Sequence, residues 1–299
     1  MKLAYYIAVH HKPYQFEWLL KALYNETDLF LIHVDKKSPN GFQAAIQGIV
    51  RAQQTHTQDN IVFLPRRRIN WGGWSQVSNE LSAMRVALAS GHAWQYFINL
   101  SGQDYPIQSL PEIRRVLREA WPRNFIRVWS FDRVRAEEAE DPHLRKLISL
   151  EVFGRARELP FRLPNNGLSM DYKGSQWHIL TRESCQWFLD DPVARRLARW
   201  LRFWRCPEEV FFQAAIMNGP FIDLRMEDSG RLFSFPGHRP STLVVSDLER
   251  ILASSDLFAR KFDAAVDRQV LESIAEKRGY PVVHDHLLDD PRSGLVAHS

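Results

Sequence analysis

From Leu3 to Trp129 the chain alternates apolar runs of strand length with segments of helical period. That alternation argues an α/β domain with a largely parallel sheet crossed by helices. Strands are expected at Leu3 to Val9, Leu29 to Val34, Ile61 to Leu64, Tyr96 to Leu100 and Phe125 to Trp129, with helices over 14–24, 40–54, 76–89 and 111–120. Between Asp132 and Leu168 the pattern weakens into charges, prolines and asparagines, which reads as an insertion over the sheet edge. A strand follows over 174–180, then helices over 183–189, 193–204 and 208–217, short strands near 221–226 and 231–235, and helices over 246–253 and 264–277. No linker or repeat divides the chain, so a single domain over 1–280 with a tail over 281–299 is expected.

Composition narrows the function classes. With 299 residues, 45% hydrophobic and 25% charged, the chain can bury a sizeable core and is neither disordered nor low in complexity. A net charge of +4 favours phosphates without the motifs of a nucleic-acid binder. Two cysteines, Cys185 and Cys206, suit a reducing compartment. No apolar run reaches the ~18 to 20 residues a bilayer needs, and the first apolar stretch runs into His10-His11-Lys12-Pro13 with no cleavage site. A soluble, cytoplasmic protein is the expectation. In the tail, His284-Asp285-His286 reads as a polar terminus rather than a metal pair.

In open α/β sheets ligands sit beyond the carboxyl ends of strands, so the segments after each strand carry the chemistry. Asp35, after the second strand, is placed either to accept hydrogen bonds from a ribose or base or to cap its own turn. There is no G-x-G-x-x-G and no P-loop, which argues against a dehydrogenase or a P-loop enzyme. In Asn70-Trp71-Gly72-Gly73-Trp74 the glycines admit a close approach and the indoles offer flat faces; the preceding Arg66-Arg67-Arg68 reads as solvated surface.

Asp104 follows the Tyr96 to Leu100 strand, where a nucleotide-sugar enzyme commonly carries a D-x-D pair for Mg²⁺ or Mn²⁺. No D-x-D occurs in the chain, so protein cations must replace a metal if the chemistry is of that kind. Pro207-Glu208-Glu209 opens a helix; one carboxylate serves the helix start, and the other can act as a general base. Arg260-Lys261, framed by Phe258 and Phe262 near a helix start, is either an ordinary surface pair or a fixed clamp for a diphosphate.

Read in order, these pieces resemble glycosyltransferase family 14, the core-2/I-branching β-1,6-N-acetylglucosaminyltransferases and peptide O-xylosyltransferases. The resemblance runs through His11-Lys12, Ile32 to Ser38, Trp71-Gly72-Gly73, Asn99 to Ile107, Gly174-Ser175-Gln176-Trp177, Pro207-x-Glu209 and Phe258 to Asp263. It implies a GT-A fold, a UDP-sugar donor, inversion at the anomeric carbon and no divalent metal or other cofactor. By position it implies that Asp35 meets the uridine, that Glu209 is the catalytic base, and that Lys261 holds the diphosphate. Trp71 and Asp104 would line the donor pocket. A second cation is expected upstream of Lys261, with Arg239 the candidate and His238 its competitor. Arg260 matches the xylosyltransferase-like and bacterial form of the motif.

With few cysteines and a strand beginning at Leu3, the chain is expected to be a minimal bacterial member. Its acceptor would be a surface polysaccharide or lipid-linked oligosaccharide, and its first-choice donor UDP-N-acetylglucosamine, with UDP-xylose the alternative. A catalytically silent nucleotide-sugar binder is the competing class; retention of both Glu209 and Lys261 argues against it. The basic, aromatic segment 195–205 could touch an anionic membrane from the inner face, or simply bury its aromatic side and solvate its arginines.

Overall fold

The computed structural model describes residues 1–53, 59–152, 155–164, 167–234 and 240–283. Its centre is a seven-stranded sheet. Leu3–Val9 pairs in parallel with both Leu29–Val34 and Tyr96–Ser101, and Ile61–Phe63 continues the parallel set beyond Leu29–Val34. On the other side Ile179–Thr181 runs antiparallel between Tyr96–Ser101 and Asn124–Phe125, and Arg225–Met226 closes the edge parallel to Asn124–Phe125.

The central strands are apolar on both faces because both faces are covered. Leu3, Tyr5, Ile7 and Val9 point to one side, where Phe16, Leu19, Leu20 and Leu23 of the helix Pro13–Leu23 pack with Ile46 and Val50 of Phe42–Gln53. Ala4 and Tyr6 point to the other, toward Val77, Ala83 and Met84 of Trp74–Ala89 and the later helices Arg182–Asp190, Pro192–Leu201 and Phe211–Met217. A small second sheet, Asp104–Pro106 antiparallel to Phe258–Arg260 with Arg231–Phe233 parallel beside it, carries a third cluster built on Tyr105, Phe262, Leu271 and Ile274. The expected α/β class with a mostly parallel sheet flanked by helices is therefore observed.

Several local expectations need correction. Phe258–Arg260 is a strand and not the approach to a helix; its partner, Asp104–Pro106, lies some 150 residues away and has no local signature. The expected strand over 174–180 forms only at Ile179–Thr181, because the Gly174 N–H goes to the Glu209 carbonyl (2.8 Å) instead of to a ladder. The strand over 125–129 splits, since Phe125 joins the large sheet while Trp129–Ser130 pairs with Tyr172–Lys173. The helix expected from Glu208 begins at Phe211; Pro207–Glu209 forms one separate 3-10 turn, closed by Val210 at φ −126°. The last helix starts late, at Gln269–Arg278, because Asp263 first closes a turn with the Val266 and Asp267 N–H groups.

The segment 132–168 is more ordered than expected. It holds the end of the helix Phe131–Glu137 and a hairpin of Leu147–Val152 with Arg155–Arg162. Within 195–205 the helix buries Leu197 and Leu201, and Trp204 follows them inward, while Arg195, Arg196, Arg199 and Arg202 are exposed. No helix among the described residues is long and apolar enough to cross a membrane. Cys185 and Cys206 are both unpaired and buried. Arg239, its competitor His238, and His284 to His286 lie outside the described residues.

Candidate active site

The carboxyl ends of the central strands meet at one place. Asp35 follows Leu29–Val34 and is almost fully buried; its Oδ1 accepts the Lys37 N–H at 2.8 Å, and its carbonyl accepts Arg66 Nη2 at 2.8 Å. Asp35 thus does cap its own turn. His10 and His11 follow Leu3–Val9 with rings stacked at 4.0 Å. Burial, reinforced by the cations Lys37, Arg260 and Lys261 and opposed by Asp35, lowers the His10 pKa. Burial and the neighbours His10, Lys12 and Lys261 push His11 down to about 4, against the attraction of Asp263, so this ring is neutral at neutral pH.

The segment carrying Arg260 and Lys261 is fixed over these strand ends from both sides. Arg260 lies opposite Asp104 in the small sheet; the Phe262 N–H donates to the Gln103 carbonyl (2.9 Å), and Gln103 Nε2 donates back to the Phe262 carbonyl (3.2 Å). Asp263 then pairs with Lys12 and accepts the Tyr14 hydroxyl at 3.1 Å.

Asp104 has no exposure at all. Its Oδ2 accepts both the N–H and the hydroxyl of Ser101 at 2.6 Å, and its Oδ1 is 3.6 Å from Arg231 Nε. Asp104 thus acts on two arginines at once, Arg231 and Arg260, and Asp256 and Asp228 act on Arg231 as well. The Arg260 guanidinium carbon lies 3.9 Å from the centre of the Trp177 ring, a cation–π contact, and its Nε has no hydrogen-bond partner among the described residues.

Glu209 sits in the Pro207–Glu209 turn with its side chain 38% exposed. Its Oε2 is 3.2 Å from His143 Nε2 and 3.8 Å from Lys173 Nζ. Lys173 is also bound by Asp141 Oδ2 at 2.5 Å. Burial would raise the Asp141 pKa, but Lys173 and the His143 N–H outweigh it and the net shift is downward. Beside Glu209, Glu208 turns inward; burial first, and the Glu209 charge second, push its carboxyl up to about 8. Trp71 is 75% exposed, on a turn tied to Glu209's own: Gly72, at φ 69°, accepts the Cys206 N–H at 2.9 Å, and a Cβ on Gly72 would press on Cys206 Sγ.

One short segment joins the two halves of the site. Gly174 N–H binds the Glu209 carbonyl, Ser175 O accepts Gln213 Nε2 at 2.7 Å, Gln176 meets Gln76 at 3.4 Å, and Trp177 lies under Arg260. The fold thus links the carboxylate at Glu209 to the cations at 260–261 through residues 174–177. No motif in the sequence marks His143, Lys173, Asp141 or Arg231. His143 and Lys173 reach Glu209 across tens of residues, and no spacing rule marks them.

In a mostly parallel α/β sheet the carboxyl ends of the strands are where ligands bind, and here that edge carries a partly exposed carboxylate and a group of cations. The family model Core-2/I-Branching enzyme matches residues 3–252, and the chain belongs to that family. Among curated relatives, xylosyltransferase 2 of Canis lupus familiaris is 28% identical over 304 residues, covering 91% of this chain and 33% of that protein. Human β-1,3-galactosyl-O-glycosyl-glycoprotein β-1,6-N-acetylglucosaminyltransferase 3 is 26% identical, covering 94% of this chain and 69% of that protein. The chain thus spans about a third of the xylosyltransferase's length. The apo crystal structure of mouse xyloside xylosyltransferase 1 aligns with a TM-score of 0.41 at 12% identity, covering 87% of this chain and 97% of that one.

Proposed function

We propose that the chain is an inverting glycosyltransferase that moves a sugar from a UDP-sugar to a glycan hydroxyl without a divalent metal. The observation that carries this reading is the link from Glu209 through Gly174 to Trp177 and Arg260, which joins a partly exposed carboxylate to the segment that bears Arg260 and Lys261. Glu209 takes the proton of the acceptor hydroxyl as that oxygen bonds to the sugar C1. The C1–O bond to the diphosphate breaks on the opposite face, through an oxocarbenium-like transition state, and UDP leaves with the electron pair. Lys261 and Arg260 stabilise the departing diphosphate, a charge that a metal would otherwise meet. Asp35 and Trp71 border the donor, and Asp104 acts from beneath by holding Ser101 and balancing the arginines.

N-acetylglucosamine is the first donor sugar to test. Xylose is the second reading, supported by Arg260, the form of the motif that the resemblance associates with xylosyltransferases, and by the similarity to xylosyltransferase 2. A bacterial surface polysaccharide or lipid-linked oligosaccharide is the proposed acceptor. Transfer would occur in the cytoplasm, and the exposed arginines of 195–205 would be the place of any contact with the inner face of a membrane. Glu209→Gln should lower turnover by roughly 10² to 10⁴ while UDP binding, measured by calorimetry, stays within a few-fold. Wild-type turnover in that variant removes Glu209 from the role.

A further inference from the structure

The surroundings of Glu209 are more specific than a general base requires. Trp204, buried behind the site, directs its indole Nε1–H at His143 Nδ1 at 3.1 Å. An indole nitrogen can only donate, so His143 Nδ1 must accept, and the ring proton of the neutral imidazole resides on Nε2. That Nε2–H faces Glu209 Oε2 at 3.2 Å. Lys173, pinned by Asp141, approaches the same oxygen at 3.8 Å. Glu209 Oε1 has no hydrogen-bond partner among the described residues, and the side chain is partly exposed. Its backbone is held as well, with its N–H on the Cys206 carbonyl at 3.0 Å and its carbonyl on the Gly174 N–H.

We infer that His143 is a positioning residue: Trp204 fixes its tautomer, and its Nε2–H holds Glu209 Oε2 so that Oε1 alone is presented to the acceptor hydroxyl. This inference rests on Glu209 being the base. The gain is orientational, since a carboxylate free to rotate about its last bond spends most of its time with neither oxygen aligned. His143 is contributed by the 3-10 turn Pro142–Arg145, so the segment over the sheet edge takes part in the site. A purely structural role would need the ring's shape and burial, whereas the positioning role needs one N–H at the Nε2 position.

The test compares His143→Phe, which keeps a ring and loses the donor, with His143→Gln, whose amide nitrogen can reach the Nε2 position. Transfer kinetics, UDP binding and thermal stability are measured for both. The expected result is a kcat loss of about 10- to 100-fold in His143→Phe with UDP affinity unchanged, and recovery of most of that loss in His143→Gln. Equal losses in the two variants, or losses that follow thermal stability, overturn the inference.

An independent readout needs no turnover: ¹⁵N spectra of the imidazole in the wild-type protein should show Nε2 protonated and Nδ1 bare. In Trp204→Phe they should show a mixture of tautomers. The opposite tautomer in the wild type overturns the inference on its own. If Glu209→Gln is fully active while the tautomer is as stated, the base assignment has failed and not the geometry.

Discussion

Glu208 and Glu209 are neighbours in the chain, and the turn they share gives them opposite surroundings. Glu209 keeps contact with solvent, His143 and Lys173, whereas Glu208 is 5% exposed and its Oε2 has no hydrogen-bond partner among the described residues. From about pH 4.5 to about pH 8 the folded chain retains a proton on Glu208 that the unfolded chain has released, so stability falls as pH rises through that window. Glu208→Gln should flatten this dependence. Urea unfolding should find the variant more stable than the wild type at pH 8 by on the order of a few kcal/mol, and nearly equal to it at pH 4. A variant that is less stable at both pH values would show that Glu208 is held as a carboxylate after all. The residues alone left the Glu208 and Glu209 pair open and the family resemblance chose Glu209, but nothing local could single out His143, which meets it 66 positions away only after the chain has folded.

At the level of elements, the central strands were legible because seven-residue and six-residue apolar runs leave little choice. The short ones were not. Phe258–Arg260 has three residues and exists as a strand only through Asp104–Pro106 and Arg231–Phe233, so tertiary pairing decided its form. Residues 174–177 looked like strand and act instead as the link between Glu209 and Arg260. At Gly174 a Cβ would lie 1.9 Å from the Arg127 carbonyl oxygen, a backbone atom that has no easy retreat. Gly174→Ala should therefore cost roughly 1 to 3 kcal/mol in denaturant unfolding. It should also reduce transfer activity by more than the unfolded fraction explains, because the Glu209 carbonyl loses its partner. Wild-type stability and activity in the alanine variant would mean that the segment tolerates displacement and does not set the site.

Across the whole molecule, contacts between residues 12–15 and 263–264 tie distant parts of the chain together beside the candidate site. Asp263 bonds Lys12 and Tyr14, and the Ala264 N–H donates to Gln15 Oε1 at 2.9 Å, so Lys12 and the first turn of the helix Pro13–Leu23 hold the segment that bears Arg260 and Lys261. Lys12 is 30% exposed, which softens the loss of its ion pair. Asp263→Asn should lower stability by about 1 to 3 kcal/mol and weaken UDP binding at a protein concentration where the chain remains folded. Unchanged UDP binding in that variant would separate these contacts from the site. The resemblance read from scattered motifs and the family match over 3–252 agree on the family, while the donor sugar and acceptor depend on side chains that no motif marks.

Metal-independent transfer from a UDP-sugar, with Glu209 and Lys261 as the charges that carry it, can be tested in a single assay. UDP release from a panel of UDP-sugars would be followed with and without EDTA, on the wild type and on Lys261→Ala. One UDP-sugar should be selected, EDTA should change its rate less than two-fold, and Lys261→Ala should lower the rate by about 10- to 1,000-fold. Abolition of the wild-type rate by EDTA, or no binding of any UDP-sugar at millimolar concentration, would contradict it.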